Sequence, residues 1–186
     1  DETYRDLTYG MPYPTAASIS PRVIAVSSLS KAFGTPGLRL GWLIAQDRAL
    51  LDACLAAKEQ IGICGSVVDE LLGIAVLENR EPWLAKSRIK NVRHLGIVRE
   101  WMAGEPMMEW VEPAGGVVCF PRMKLRPEFD VDRFYKSLLQ NHGTYVGPGH
   151  WFEMPKCYMR IGFAWPTEQQ LREGLAGISA ALRERG

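Results

Sequence analysis

Two short apolar runs, residues 22–26 (RVIAV) and 38–45 (LRLGWLIA), stand close together near the start of the chain. Both are too short for a helix, and the first is bounded by Pro21 and Ser27, so each reads as a buried strand. Two strands do not fill a sheet of their own. Either the chain is a fragment, or the rest of the sheet comes from elsewhere. The loop between the runs is crowded with small residues: Ser27, Ser28, Ser30, Gly34 and Gly37. It also holds a single lysine, Lys31, and leads to a single arginine, Arg39, between Gly37 and Gly41.

Beyond the second run the patterning becomes helical. Residues 49–59 are rich in Ala and Leu and free of Gly and Pro. Ser66 suits an N-cap, with Asp69 and Glu70 in the following turn, where they complement the helix dipole. Val67, Leu71 and Ile74 form one stripe and Val68, Leu72 and Val76 another, so this helix is expected to be well buried. Pro82 opens a longer helix to about residue 102, with Ile89, Val92, Leu95 and Val98 as its expected buried stripe. The bases around it (Lys86, Arg88, Lys90, Arg93, Arg99) have no interleaved aromatic residues. They read as a solvated face, not a nucleic-acid patch.

From about Met107 the elements shorten. "MEWVEP" and "GVVCFPR" read as paired strands around a turn at residues 113–116. Asp130 caps a helix carrying Val131, Phe134 and Leu138, which stops at "NHG". "TYVGPG" and "CYMRIGFA" read as two more strands. Thr167 and Gln170 form a capping box for a last helix with the stripe Leu171, Leu175, Ile178 and Leu182. The fold class is therefore α/β at the start, part of a mixed sheet with helices, followed by a compact α+β unit. The expected divisions are residues 1–78, a linking helix over 79–106, and a small domain over 107–186.

Bulk properties exclude several function classes. The 186 residues are 47% hydrophobic, enough for one sizeable core or two small ones. Twenty-two basic residues against 21 acidic ones give no electrostatic reason to expect nucleic acid or a membrane surface as partner. No apolar run reaches the ~18 residues of a membrane span, and the acidic start is not a signal peptide. Cys54, Cys64, Cys119 and Cys157 are widely spaced, with no metal-ligand pattern among them or with the histidines. A reducing, cytoplasmic compartment is expected. Cys119, Cys157 and the tryptophans read as core residues.

The chemistry concentrates around Lys31. It directly follows a strand expected to be buried, so its stem should start near the core, where partial burial favours a neutral, nucleophilic amine. Serine hydroxyls beside it can hold an anion, and Arg39 presents a flat fork suited to phosphate. The arrangement is not a P-loop, because Lys31 precedes both loop glycines. A nucleophilic amine beside a phosphate clamp suits a phosphorylated aldehyde. Asp1 and Tyr4, in "DETY", suit the two ends of a pyridine ring: a carboxylate for a protonated ring nitrogen and a phenol for the ring hydroxyl.

"DETYRDL", "SSLSKAFGTPGLRLGW" and "CYMRIGFA" together resemble three signatures of the class I/II aminotransferases, fold type I enzymes that depend on pyridoxal 5'-phosphate. The resemblance covers essentially the whole chain, in the family's motif order. It implies that Lys31 is the Schiff-base lysine and proton shuttle, that Asp1 meets the pyridine nitrogen, and that Tyr4 meets the ring oxygen. It assigns Ser28 and Arg39 to the cofactor phosphate, with Ser30 as a further candidate, and Arg160 to the substrate α-carboxylate. An arginine in the apolar "YMRIGF" is expected to be buried and to need an anionic partner. His150, in the preceding "GPGHWF" loop, is a candidate substrate contact.

Members of this family are about twice as long. The resemblance thus implies a C-terminal half, partnered by the N-terminal half of the same enzyme and homodimeric when complete. Alone, such a half is expected neither to hold cofactor tightly nor to catalyse. The leading activity is transamination of an L-amino acid to a keto acid. One rival is a lyase or cyclising enzyme of specialised metabolism acting on a hydroxylated arginine, a type that "DETYRDLTYG" and "GSVVDELLG" also resemble. Another is a cofactor-sensing domain of a transcription regulator, which would need a DNA-binding module upstream.

Overall fold

The computed structural model describes residues 1–184. They form two compact units, residues 1–89 with 114–116, and residues 90–113 with 117–184. No helix among the described residues is long and apolar enough to cross a membrane.

In the first unit, strand β1 (Ala25–Ser28) pairs antiparallel with β2 (Gly41–Ile44), with Ser28 opposite Gly41. Both lie within or beside the expected runs, but the strands begin later and are shorter. They are not core strands: Ala25 is buried, while Val26, Leu43 and Ile44 are exposed. Helix α1 (Arg48–Ile61) is capped by the Asp47 carboxylate, which accepts from the Ala49 and Leu50 N–H groups. Helix α2 (Val67–Glu78) is capped by Ser66, whose hydroxyl accepts from the Asp69 N–H as the sequence predicts. Its burial is the reverse of the expectation. Val67 is 68% exposed and Leu71 62%, and only Gly73 and Val76 are buried. Among the described residues, both apolar stripes of α2 are exposed except at Val76.

Helix α3 (Arg80–Gly104) begins in the first unit and ends in the second. Its buried positions are Leu84, Asn91, His94, Leu95, Ile97, Val98 and Met102. The expected stripe is therefore half right. Leu95 and Val98 are buried, but Ile89 is 72% exposed and Val92 is exposed too. Two polar residues, Asn91 and His94, take the inner face instead, and the His94 ring bonds the Phe163 carbonyl through Nδ1 at 2.6 Å. The basic residues lie mainly on the solvent side, and Arg93 and Arg99 pair with Glu168 and Glu112.

The second unit is built on short strands. β4 (Val118–Cys119), β7 (Met159–Gly162) and β6 (Gly147–Pro148) form a three-stranded antiparallel sheet with β7 in the middle. β3 (Met108–Glu109) pairs with β5 (Arg122–Met123), not with Val118–Cys119. Only the far end of "GVVCFPR" thus meets "MEWVEP". Pro121 has no N–H to continue a ladder, and it separates the two short strands. The expected turn at 113–116 is drawn instead into the first unit. Gly115 bridges Thr8, the Gly116 N–H donates to the Leu7 carbonyl, and the Tyr9 hydroxyl donates to the Gly116 carbonyl. A Cβ on Gly115 would lie 2.9 Å from the Leu7 oxygen, so the close approach requires glycine. Burial pushes the Tyr9 phenol up to about 12.

Helix α4 (Val131–Gln140) starts at the Asp130 cap and buries Phe134 and Leu138. Helix α5 (Glu168–Arg183) starts with both bonds of the Thr167–Gln170 capping box and buries Leu171, Leu175, Ile178 and Leu182. Of the residues read as core, Cys119 is buried, and burial pushes its thiol up to about 12. Trp165 is 94% exposed, against expectation.

Candidate functional site

β1 ends by delivering Ser28, and the next residues alternate between core and surface. Leu29, Ala32 and Phe33 turn inward and are buried; Lys31 is exposed, and Ser28 and Ser30 are half-buried. Three apolar anchors thereby hold a polar loop in place. Backbone bonds complete the hold. The Leu29 N–H donates to the Leu40 carbonyl at 3.2 Å, and the Thr35 N–H and hydroxyl both donate to the Leu29 carbonyl. The Gly34 N–H closes a turn on the Lys31 carbonyl, and Gly34 has φ +67°, a conformation that favours glycine.

Lys31 is thus not where the sequence suggests. Its stem does not begin in the core; the core residues are its neighbours, and the amine lies in the open. Arg39 is also exposed. Its Nη1 donates to the Pro36 carbonyl at 2.7 Å, which fixes one arm of the guanidinium. Among the described residues neither Lys31 nor Arg39 has a carboxylate partner. The Ser28 hydroxyl accepts from the Ser30 N–H at 3.3 Å.

The first residues run beside β1. The Glu2 N–H donates to the Val26 carbonyl at 2.7 Å, and the Ser27 hydroxyl donates to the Glu2 carbonyl. The Glu2 carboxylate accepts from the Ala16 N–H at 2.6 Å and from the Thr15 hydroxyl, tying the segment down. That places Asp1 and Tyr4 on either side of an anchored residue. Asp1 Oδ1 accepts from the Thr3 N–H and hydroxyl, and Tyr4 precedes a single 3₁₀ turn at Arg5–Leu7.

Asp1, Tyr4, Ser28, Ser30, Lys31 and Arg39 all belong to the first unit; Ser30, Lys31 and Arg39 share one loop, and Ser28 ends the strand that leads into it. Arg160 belongs to the second. It sits on β7, where side chains alternate in and out: Met159 and Ile161 are buried, and Arg160 is exposed. The expectation of a buried arginine is corrected by that period of two. Its guanidinium lies 4.7 Å over the Phe152 ring.

Three supporting residues escaped the sequence reading. Glu2 is the tether of the first segment, and in an acidic opening nothing marks it out. Gly73 sits in α2 where a Cβ would lie 2.4 Å from Leu40 Cδ1 and 3.3 Å from Leu29 Cδ1. It lets the helix press on the two leucines that hold the loop. A glycine inside a helix costs about 1 kcal/mol, and that was the legible signal. Phe152 carried no signal at all.

The donor set fits a phosphorylated aldehyde. An amine and a guanidinium, neither neutralised by a carboxylate among the described residues, share one loop with the Ser30 hydroxyl, and the Ser28 hydroxyl stands at the loop's entrance. A carboxylate and a phenol lie on the segment tethered to the same strand.

Residues 1–178 match the sequence model of the aminotransferase class I and II family, and the chain belongs to that family. It is 34% identical to capreomycidine synthase of Streptomyces vinaceus over 98% of this chain and 46% of that protein. It is similar to a PLP-dependent aminotransferase from Streptococcus suis, with TM-score 0.88, 30% identity, and coverage of 98% of this chain and 47% of that one. It is also similar to the PLP-dependent cyclase OrfR, with TM-score 0.87, 28% identity, and coverage of 100% and 50%. The fold is that of fold type I pyridoxal-phosphate enzymes, and the family's cofactor is pyridoxal 5'-phosphate. The chain spans about half the length of these relatives.

Proposed function

We propose that the protein carrying this chain binds pyridoxal 5'-phosphate at Lys31 and converts an L-amino acid to a keto acid by transamination. The observation that carries this reading is the loop around Lys31. Its amine and the Arg39 guanidinium are both exposed and both lack a carboxylate partner among the described residues.

The bound cofactor supplies an electron sink for the bonds at the substrate's α-carbon. Lys31 holds the aldehyde end of the cofactor. When its amine is neutral and free, Nζ takes the substrate α-proton and stores it for return. Arg39 and the Ser28 hydroxyl hold the phosphate, with Ser30 beside them. The Asp1 carboxylate keeps the ring nitrogen protonated, and the Tyr4 phenol hydrogen-bonds the ring oxygen. Arg160 meets the two oxygens of the substrate carboxylate with its two-pronged fork.

We place the remaining contacts in the other half of the same protein, and the complete form as a homodimer. The open apolar faces of α2, and a chain half as long as its relatives, support that placement.

A second reading keeps the cofactor and changes the outcome: a cyclising enzyme acting on a hydroxylated arginine. Its support is the similarity to capreomycidine synthase and to the cyclase OrfR. The fate of the amino nitrogen separates the two. Borohydride reduction of the complete protein with pyridoxal phosphate, read by peptide mass, is expected to mark Lys31. A mark on another lysine refutes the central assignment. With a panel of L-amino acids added, release of a keto acid supports transamination, and a cyclic product that keeps its nitrogen supports the cyclase.

A further inference from the structure

Phe152 touches Arg160 in a way that suits an arginine waiting for an anion. The guanidinium carbon lies 4.7 Å over the ring centroid. Among the described residues no carboxylate or carbonyl accepts from the Arg160 guanidinium, so its N–H fork stays available while the ring holds its charge. Had Arg160 been held by a carboxylate of this chain, the fork itself would have been occupied. An exposed arginine otherwise samples many rotamers, and a ligand must freeze them when it binds. The ring removes part of that freedom beforehand, and cation–π attraction supplies the force.

The ring is itself held from several sides. Gly147 stands opposite Arg160 in the β6–β7 register. A Cβ there would come within 3.1 Å of Phe152 Cε2, so the missing side chain makes the slot in which the ring lies. Phe120 meets Phe152 edge-on, with centroids 5.6 Å apart and planes at 85°. The turn that presents the ring is tight. A Cβ on Gly149 would fall 2.2 Å from the Pro155 carbonyl oxygen, the Gly149 N–H donates to the Tyr158 carbonyl at 2.7 Å, and Glu153 is left-handed at φ 57°. A strained turn and an open glycine, two features of different origin, both serve to place one aromatic ring against one arginine.

We infer that Phe152 is a positioning residue that pre-orients Arg160 for a carboxylate, with Gly147 as the opening that admits its ring. This rests on the reading of Arg160 as the substrate-carboxylate site. It adds that affinity for the carboxylate is set in part by a residue that does not touch it.

The test uses the complete protein with cofactor bound, and acetate as the carboxylate probe. Nitrogen-15 NMR of the Arg160 Nε–H reports ring stacking and acetate binding together. In the unaltered protein and in Phe152→Tyr the resonance is expected to carry the ring's upfield shift, and acetate to move it. In Phe152→Leu the upfield shift is lost, and the acetate dissociation constant rises roughly threefold to tenfold. Gly147→Ala, which crowds the ring from behind, shifts both readouts the same way by less and covers the case in which Phe152→Leu folds poorly. For amino-acid substrates the same variants raise KM and leave kcat in place. An unchanged resonance or an unchanged acetate affinity in both Phe152→Leu and Gly147→Ala overturns the inference while leaving the role of Arg160 intact. If acetate does not move the Arg160 signal and Arg160→Gln leaves KM unaltered, the carboxylate role of Arg160 falls, and the inference falls with it.

Discussion

Gly41 shows how little space separates the loop from the strand beside it. It pairs with Ser28, and a Cβ in its place would lie 2.9 Å from the Ser27 carbonyl oxygen. That neighbour is backbone, so it cannot swing aside as a side-chain tip would. Gly41→Ala is expected to part β1 from β2 at the point where the chain enters and leaves the loop. Overpacking of this kind costs about 1–3 kcal/mol. Urea unfolding of the complete protein measures that loss, and a spectral titration measures an accompanying fall in pyridoxal-phosphate affinity. Stability and affinity both equal to the unaltered protein would show that the strand pair yields more easily than the geometry suggests. The same scale explains Gly34, where the need is a left-handed turn rather than space. The glycines of this stretch therefore have different causes: Gly41 has no room for a Cβ, and Gly34 takes a left-handed φ with open space around it.

Elements are joined by groups whose charge matters. At the end of α3 the buried Glu105 carboxylate accepts from the Ser179 hydroxyl at 2.5 Å and from Arg183 at 2.8 Å, both on α5. Burial alone would raise this carboxyl, but the hydrogen bonds from Ser179, Arg183 and the Met107 N–H outweigh it and hold it below its usual value. A carboxylate depressed in the folded state stabilises the fold above its unfolded pKa, and the benefit disappears as pH falls through the folded one. Glu105→Gln is therefore expected to cost about 1–3 kcal/mol at neutral pH. The gap between the variant and the unaltered protein should close below about pH 4. Thermal unfolding followed from pH 7 to pH 3 tests this, and a gap that stays constant across the range would remove the carboxylate's charge from the account. Trp101 joins the same junction through its indole N–H, which donates to the Ser179 hydroxyl at 2.8 Å.

For the molecule as a whole, the informative feature is apolar surface with nothing over it. Val67, Val68, Leu71, Leu72 and Ile74 of α2 are exposed, as are Ile61, Ile63, Leu43 and Ile44. So much open apolar surface on a small unit supports the proposal that another part of the protein covers it. Residues 1–186 produced alone are expected to bind a hydrophobic dye such as ANS strongly and to retain no pyridoxal phosphate through gel filtration. The complete protein is expected to bind little dye and to keep its cofactor. Cofactor retention by the shorter chain, at the level of the complete protein, would contradict the proposal that a second half completes the site.

The sequence by itself determined what depends on neighbours along the chain. Ser66, Asp130 and Thr167 cap their helices, because each cap and its N–H partner are three residues apart. Lys31, Gly34 and Arg39 share a loop, because one stretch of chain carries them all. The family was readable for the same reason, since its motifs are local spacings. Only the tertiary structure decided which faces are covered. An apolar stripe on α2 looks the same whether its partner is present or absent. His94 sits on the inner face of α3 because the Phe163 carbonyl reaches it from elsewhere in the chain. β3 passes over Val118–Cys119 to pair with Arg122–Met123, and Arg160 points outward on an alternating strand. Phe152 meets Arg160 through a slot left by Gly147, a relation among three residues on separate elements that no local pattern encodes.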